Sequence, residues 1–144
     1  MYMTHVGIVT PRYPPTYEGG GELSVELLAT ELADSNLVDR VSVFSLDGEG
    51  QTRIDGVEIH RVGNVSSVLT EYQNIRAYEL LAEPLQAVDV LHAYNMELHP
   101  VVGYISSKYD IPSVATLNSY HFFPETISNK SPSAIRRLYE LVAM

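Results

Sequence analysis

Three short polar segments carry the residue types that could act on a ligand. The first is Gly19-Gly20-Gly21-Glu22, where a helical pattern opens after the loop Pro11-Arg12-Tyr13-Pro14-Pro15. Glycine permits positive φ and close approach of backbone to a ligand, and the unpaired N–H groups at a helix start favour an anion. This segment is therefore a candidate seat for a phosphate-bearing group. The second segment is His92-Ala93-Tyr94-Asn95, and the third is Thr116-Leu117-Asn118-Ser119-Tyr120-His121. Histidine exchanges protons near neutral pH, and the amide and hydroxyl side chains beside it hydrogen-bond to polar ligands.

Each segment also has a plainer reading. Three glycines make a surface turn as readily as a ligand loop. A lone histidine at a strand end is commonly a hydrogen-bonded structural residue. The chain has ten tyrosines. Tyr13, Tyr17, Tyr94 and Tyr120 fall near the three segments, where their rings either stack on a flat ligand or pack half-buried. Some chemistries are excluded by spacing. Gly19, Gly21 and Ser24 fail the dinucleotide pattern G-x-G-x-x-G, and no Gly-Lys-Ser/Thr follows to make a P-loop. No Ser-His-Asp order or carboxylate pair suggests hydrolysis. His92, His99 and His121 match no zinc spacing, so no metal site is expected.

The elements that must position these segments follow from periodicity. Apolar runs predict strands over residues 5–10, 40–46, 57–62, 88–94 and 112–117, with helices over 22–34, 70–87 and 98–109. The stretch from Asp47-Gly48-Glu49-Gly50 to Asp55-Gly56 reads as turn chemistry. The other connections are helical, which predicts a Rossmann-like, mostly parallel sheet with helices on both faces. The first strand should be central, between the second and the one over 88–94. All three polar segments then follow strands at the carboxyl edge, where open α/β sheets bind ligands. A last helix from Ser133 places Ile135, Leu138, Leu141 and Val142 on one face, with no cap after it. That reads as a domain cut short, with self-association through this helix as the expected behaviour.

Composition narrows the classes. The 144 residues suffice for one domain, and 45% hydrophobic with 19% charged residues is ordinary for a globular chain. A net charge of −9 argues against nucleic acid as a partner. No apolar run approaches the ~18 residues of a membrane span. The absence of cysteine removes disulfides and thiolate chemistry, and with no basic leader at the start a reducing, cytoplasmic setting is expected.

Taken together the motifs resemble one family. Ile8-Val9-Thr10-Pro11, Tyr13-Pro14-Pro15 and Gly19-Gly20-Gly21-Glu22-Leu23-Ser24 resemble the opening of family 4 retaining glycosyltransferases of the two-domain GT-B fold. Asp89-Val90-Leu91-His92-Ala93-Tyr94-Asn95 is similar to that family's D-V-[VIL]-H-x-H-N segment. Asp110-Ile111-Pro112-Ser113-Val114-Ala115-Thr116-Leu117-Asn118-Ser119-Tyr120 is similar to its G-[IV]-P-x-V-x-T-L-H-[DN]-Y segment. The match runs through nearly the whole chain in order.

The resemblance implies that residues 1–144 are the incomplete N-terminal, acceptor-side domain of an enzyme moving a sugar from a nucleotide-sugar with retention. The donor-binding domain would lie outside this chain, and the fragment alone would be inactive. Gly19, Gly20, Gly21 and Glu22 would then face the donor diphosphate, with Tyr94, Asn95, Ser119 and Tyr120 binding substrate and His92, Asn118 and His121 as catalytic candidates. No cofactor beyond the nucleotide-sugar co-substrate is implied. In two places the chain departs from the family. Asn118 stands where the family usually has His, and Tyr94 replaces a common second His. Two rivals remain: a non-catalytic Rossmann-like binding module, which Asn118 supports, and a nucleotide-dependent oxidoreductase or epimerase, which the missing fingerprint disfavours.

Overall fold

The computed structural model describes residues 3–15, 19–65 and 69–117. These form a six-stranded sheet of β1 (His5–Thr10), β2 (Arg40–Ser45), β3 (Asp47–Ile54), β4 (Val57–Asn64), β5 (Val90–Ala93) and β6 (Ser113–Ala115). The helices are α1 (Gly20–Asp34), α2 (Thr70–Leu81) and α3 (His99–Tyr109), with 3₁₀ turns at Pro84–Ala87 and Met96–Leu98. The sheet order is β3-β4-β2-β1-β5-β6. Every neighbouring pair is parallel except β3 with β4.

β1 is central, paired on one side with β2 and on the other with β5, as its apolar run predicts. All six of its residues are buried, the condition of a strand covered on both faces. Its side chains alternate between two cores. Val6 and Ile8 join Val41, Val43, Val57 and Ile59 beneath Val25 and Ala29 of α1. Val9 joins Phe44, Leu91 and Ala93 beneath Ala77 and Leu81 of α2 and Val101, Val102 and Ile105 of α3. Helices therefore cover both faces, and the architecture is α/β and Rossmann-like.

Two expectations are corrected. The stretch after Asp47 is not turn alone: it is β3, an eight-residue strand at the sheet edge, fully registered with β4 from Asp47↔Asn64 to Ile54↔Val57. Apart from Ile54 and two glycines its residues are polar, and most are exposed, so no apolar alternation marks it. Only Asp55-Gly56 is the turn, and both residues hold positive φ (48° and 79°), the conformation of a two-residue hairpin loop. The helix predicted over 70–87 also breaks. α2 ends at Leu81, because Pro84 cannot continue the hydrogen-bond ladder and instead opens a 3₁₀ turn.

Among the described residues, no helix is long and apolar enough to cross a membrane. The segment from Ser133 lies outside the described residues.

Candidate functional site at the carboxyl edge

Parallel strands place the ends of β1, β5 and β6 along one edge. At the end of β1, Thr10 Oγ1 lies 3.0 Å from both Asn95 Oδ1 and the Arg12 carbonyl, joining the first loop to the loop after β5. One strand further out, His92 Nε2 is 2.7 Å from Thr116 Oγ1. His99 Nε2 lies 3.1 Å from the Thr116 carbonyl, so that nitrogen carries the proton and donates it. Two histidines from β5 and α3 thus converge on one threonine. His92 is partly buried, and burial followed by the nearby His99 holds its pKa below the ordinary value. Its imidazole is consequently neutral at pH 7, suited to hydrogen bonding or to accepting a proton.

The glycine segment opens α1. Gly19 is the N-cap with extended backbone (φ −139°, ψ 171°), and among the described residues no side chain caps the helix. Its carbonyl takes the first helical bond, from Leu23 N–H at 3.1 Å. Gly20 and Gly21 do not hold positive φ, so the expectation that glycine relieves backbone strain there is not met. A Cβ built at either position would meet no atom of the described residues within 4 Å. Among the described residues, neither backbone conformation nor packing calls for glycine at these two exposed positions.

Charge gathers at the same edge. Glu97, in the 3₁₀ turn after β5, is partly buried, and that burial raises its carboxyl pKa. Arg12 works against the rise and Glu22 adds to it, which brings the first loop, the start of α1 and the β5 loop within electrostatic reach of one another. Asn74 of α2 steadies this turn. Its Nδ2 donates to the Glu97 carbonyl at 2.8 Å, and its Oδ1 accepts from Val101 N–H at 2.9 Å.

The proposed aromatic surface is different. Tyr13 and Tyr94 are only 3% and 8% exposed and pack into the core under α1. The Tyr13 phenol, pushed up to about 12 chiefly by burial, stays neutral. Both rings take the packing role rather than offering a face for stacking. Among the described residues no group of three or more His, Asp or Glu is placed to hold a metal ion. Asn118, Ser119, Tyr120, His121 and Tyr17 lie outside the described residues.

At this edge Asn95 is held by Thr10, His92 by Thr116, and Glu22 lies within electrostatic reach of Glu97. Arg12, Asn74, Glu97 and the Thr116 link to His99 join them. For Glu97 a signal existed, two residues beyond Asn95 on the same loop. For Asn74, a polar residue inside a helical pattern, none did. No protein-family model matches the chain, and no curated protein does.

Proposed function

We propose that this chain is the acceptor-side domain of a retaining glycosyltransferase of the GT-B type, acting on a nucleotide-sugar donor. The observation that carries the reading is the start of α1. Glycine costs a helix up to about 1 kcal/mol relative to alanine. Two exposed glycines that the conformation and packing of the described residues do not require are best explained by an external group that must come close to the backbone. A helix start that no side chain of the described residues caps favours that group being an anion. The resemblance to family 4 names it as the donor diphosphate.

In this reading the amides of Gly20 and Gly21 act on the leaving group. A nucleoside diphosphate gains negative charge as the sugar departs, and fixed N–H donors stabilise that charge without reorganising. The neutral His92, held against Thr116, and the partly buried Glu97 offer acceptors for acceptor or sugar hydroxyls. Asn118, by its place in the T-L-N-S-Y segment, would approach the donor sugar as a hydrogen-bonding amide rather than an imidazole.

The test uses the longest natural form of the protein, incubated with a panel of nucleotide-sugars while release of nucleoside diphosphate is followed. Transfer or slow donor hydrolysis that disappears in the folded Gly20→Val, Gly21→Val double variant is the expected result. Undiminished turnover in that variant would overturn the role of the segment. The binding-module reading keeps one support, Asn118 in place of the usual histidine. It would prevail if neither the natural protein nor Asn118→His turned over any donor.

A further inference from the structure

The amino ends of β1, β2 and β4 carry a polar cluster, at the opposite end of the sheet from the crevice. Ser42, fully buried on β2, has one hydroxyl proton and two acceptors in reach. His5 Nε2 on β1 lies 2.7 Å from its Oγ, and Glu58 Oε2 on β4 lies 3.5 Å from it. The other side of the His5 ring decides between them. Nδ1 is 3.0 Å from the Ala87 carbonyl, which can only accept, so Nδ1 carries a proton. In the neutral ring Nε2 is then bare and takes the Ser42 proton. Glu58 meanwhile is held by Arg40, whose Nε and Nη2 donate to Oε1 and Oε2 at 3.0 and 2.5 Å.

We infer that Ser42 is a hydroxyl switch, whose proton points to His5 while that ring is neutral and turns to Glu58 when the ring is charged. Valence forces the turn. A charged ring carries a proton on both nitrogens, so Nε2 must donate to Ser42 Oγ, and the hydroxyl proton must leave that line. Among the described residues the acceptor then in reach is Glu58 Oε2. The chain Ala87 O, His5, Ser42, Glu58, Arg40 is thus complete in both states, and acid redirects the contacts between three strands instead of breaking them. Arg40 opposes the charged ring, while Glu58 and Asp89 favour it. His60 stands behind Glu58, with Nε2 3.6 Å from Oε2. Burial of His5 remains the largest influence on it, so the switch eases its acid sensitivity without cancelling it.

The experiment is an NMR pH titration of the ¹³C,¹⁵N-labelled 144-residue chain, read at the His5 ring nitrogens and the Glu58 carboxyl carbon. Above the His5 transition Nδ1 should be the protonated nitrogen. A ring protonated at Nε2 there would overturn the switch without any variant. Through the transition the Glu58 carbon should move with the same midpoint as the His5 ring, and a Glu58 carbon that ignores that midpoint would equally overturn it. In Ser42→Ala the Glu58 movement should fall by more than half. The His5 midpoint should drop by about one pH unit, because the charged ring loses the stronger, charge-assisted bond. His60→Gln controls for the other imidazole beside Glu58 and should leave the movement intact. A Glu58 response undiminished in folded Ser42→Ala, or one that disappears in His60→Gln, would assign it to another group and remove Ser42 from the coupling.

Discussion

Asn74 of α2 grips the main chain at Glu97, 23 residues away in sequence, through a 2.8 Å bond from Nδ2 to the Glu97 carbonyl. The same Nδ2 reaches Thr70 O, and Oδ1 takes the Val101 N–H, so one amide joins α2, the 3₁₀ turn and the first turn of α3. Asn74→Ala should therefore destabilise the fold by about 2–3 kcal/mol, since it leaves the Val101 N–H and the Glu97 carbonyl with no partner from this residue. Asn74→Asp should do no better, because a carboxylate would face two carbonyl oxygens. Urea unfolding of the variants checks this, and a loss below about 0.5 kcal/mol for alanine would contradict it.

His5 sets a pH dependence at the opposite end of the sheet. Its Nδ1 donates to the Ala87 carbonyl at 3.0 Å and its Nε2 meets Ser42 Oγ at 2.7 Å. Burial is the largest cause lowering its pKa; Arg40 lowers it further, while the Ala87 carbonyl, Glu58 and Asp89 oppose. A lowered value means that the folded state prefers the neutral ring while the unfolded chain titrates near 6.5. His5 thus contributes its stability in full above pH 6.5 and loses it as the pH falls toward the folded value, and His92 acts in the same sense. The melting temperature should drop between pH 7.5 and 5.5, and His5→Gln should flatten that slope. A slope identical in His5→Gln would exclude His5 as its source.

Glu97 should behave in the reverse way. Its raised pKa, caused first by burial, means that the ionised carboxylate destabilises the fold at neutral pH. Glu97→Gln keeps the shape and removes the charge, so it should raise the melting temperature at pH 7.5, with the gain fading toward pH 4. Under the proposed function the same variant should lower activity, the usual exchange at a site kept for chemistry. Thermal scans at several pH values give the answer, and a Glu97→Gln protein less stable than its parent at pH 7.5 would refute the electrostatic account.

How much of this is legible from sequence depends on how local its cause is. β1 announces itself because a strand covered on both faces must be apolar at every position, and His5 to Thr10 nearly is. β3 does not, because its pairing is dictated by β4, and no apolar residue alternates through Asp47-Gly48-Glu49-Gly50-Gln51. Asp55-Gly56 gave the hairpin's turn but not the strand leading into it. The strand-end position of His92 and Asn95 makes them readable as site candidates. Asn74 could not be read so, since the Glu97 carbonyl it holds is 23 residues away and the two meet only once α2 has packed beside that turn.

The glycines that open α1 separate stability from function. A Cβ at Gly20 or Gly21 would meet none of the described residues, and neither glycine holds positive φ. Gly20→Ala and Gly21→Ala should therefore each stabilise the protein, by up to about 1 kcal/mol, through the backbone entropy that glycine loses in a helix. If the open space is where a diphosphate meets the amides, the added methyl groups should at the same time weaken pyrophosphate binding, and valine should weaken it more. A turn kept only for flexibility would show no such opposition: alanine would leave anion binding unchanged. Parallel melts and pyrophosphate titrations of the two variants decide between these, and a gain in stability with full retention of binding would return Gly19, Gly20 and Gly21 to the status of a surface turn.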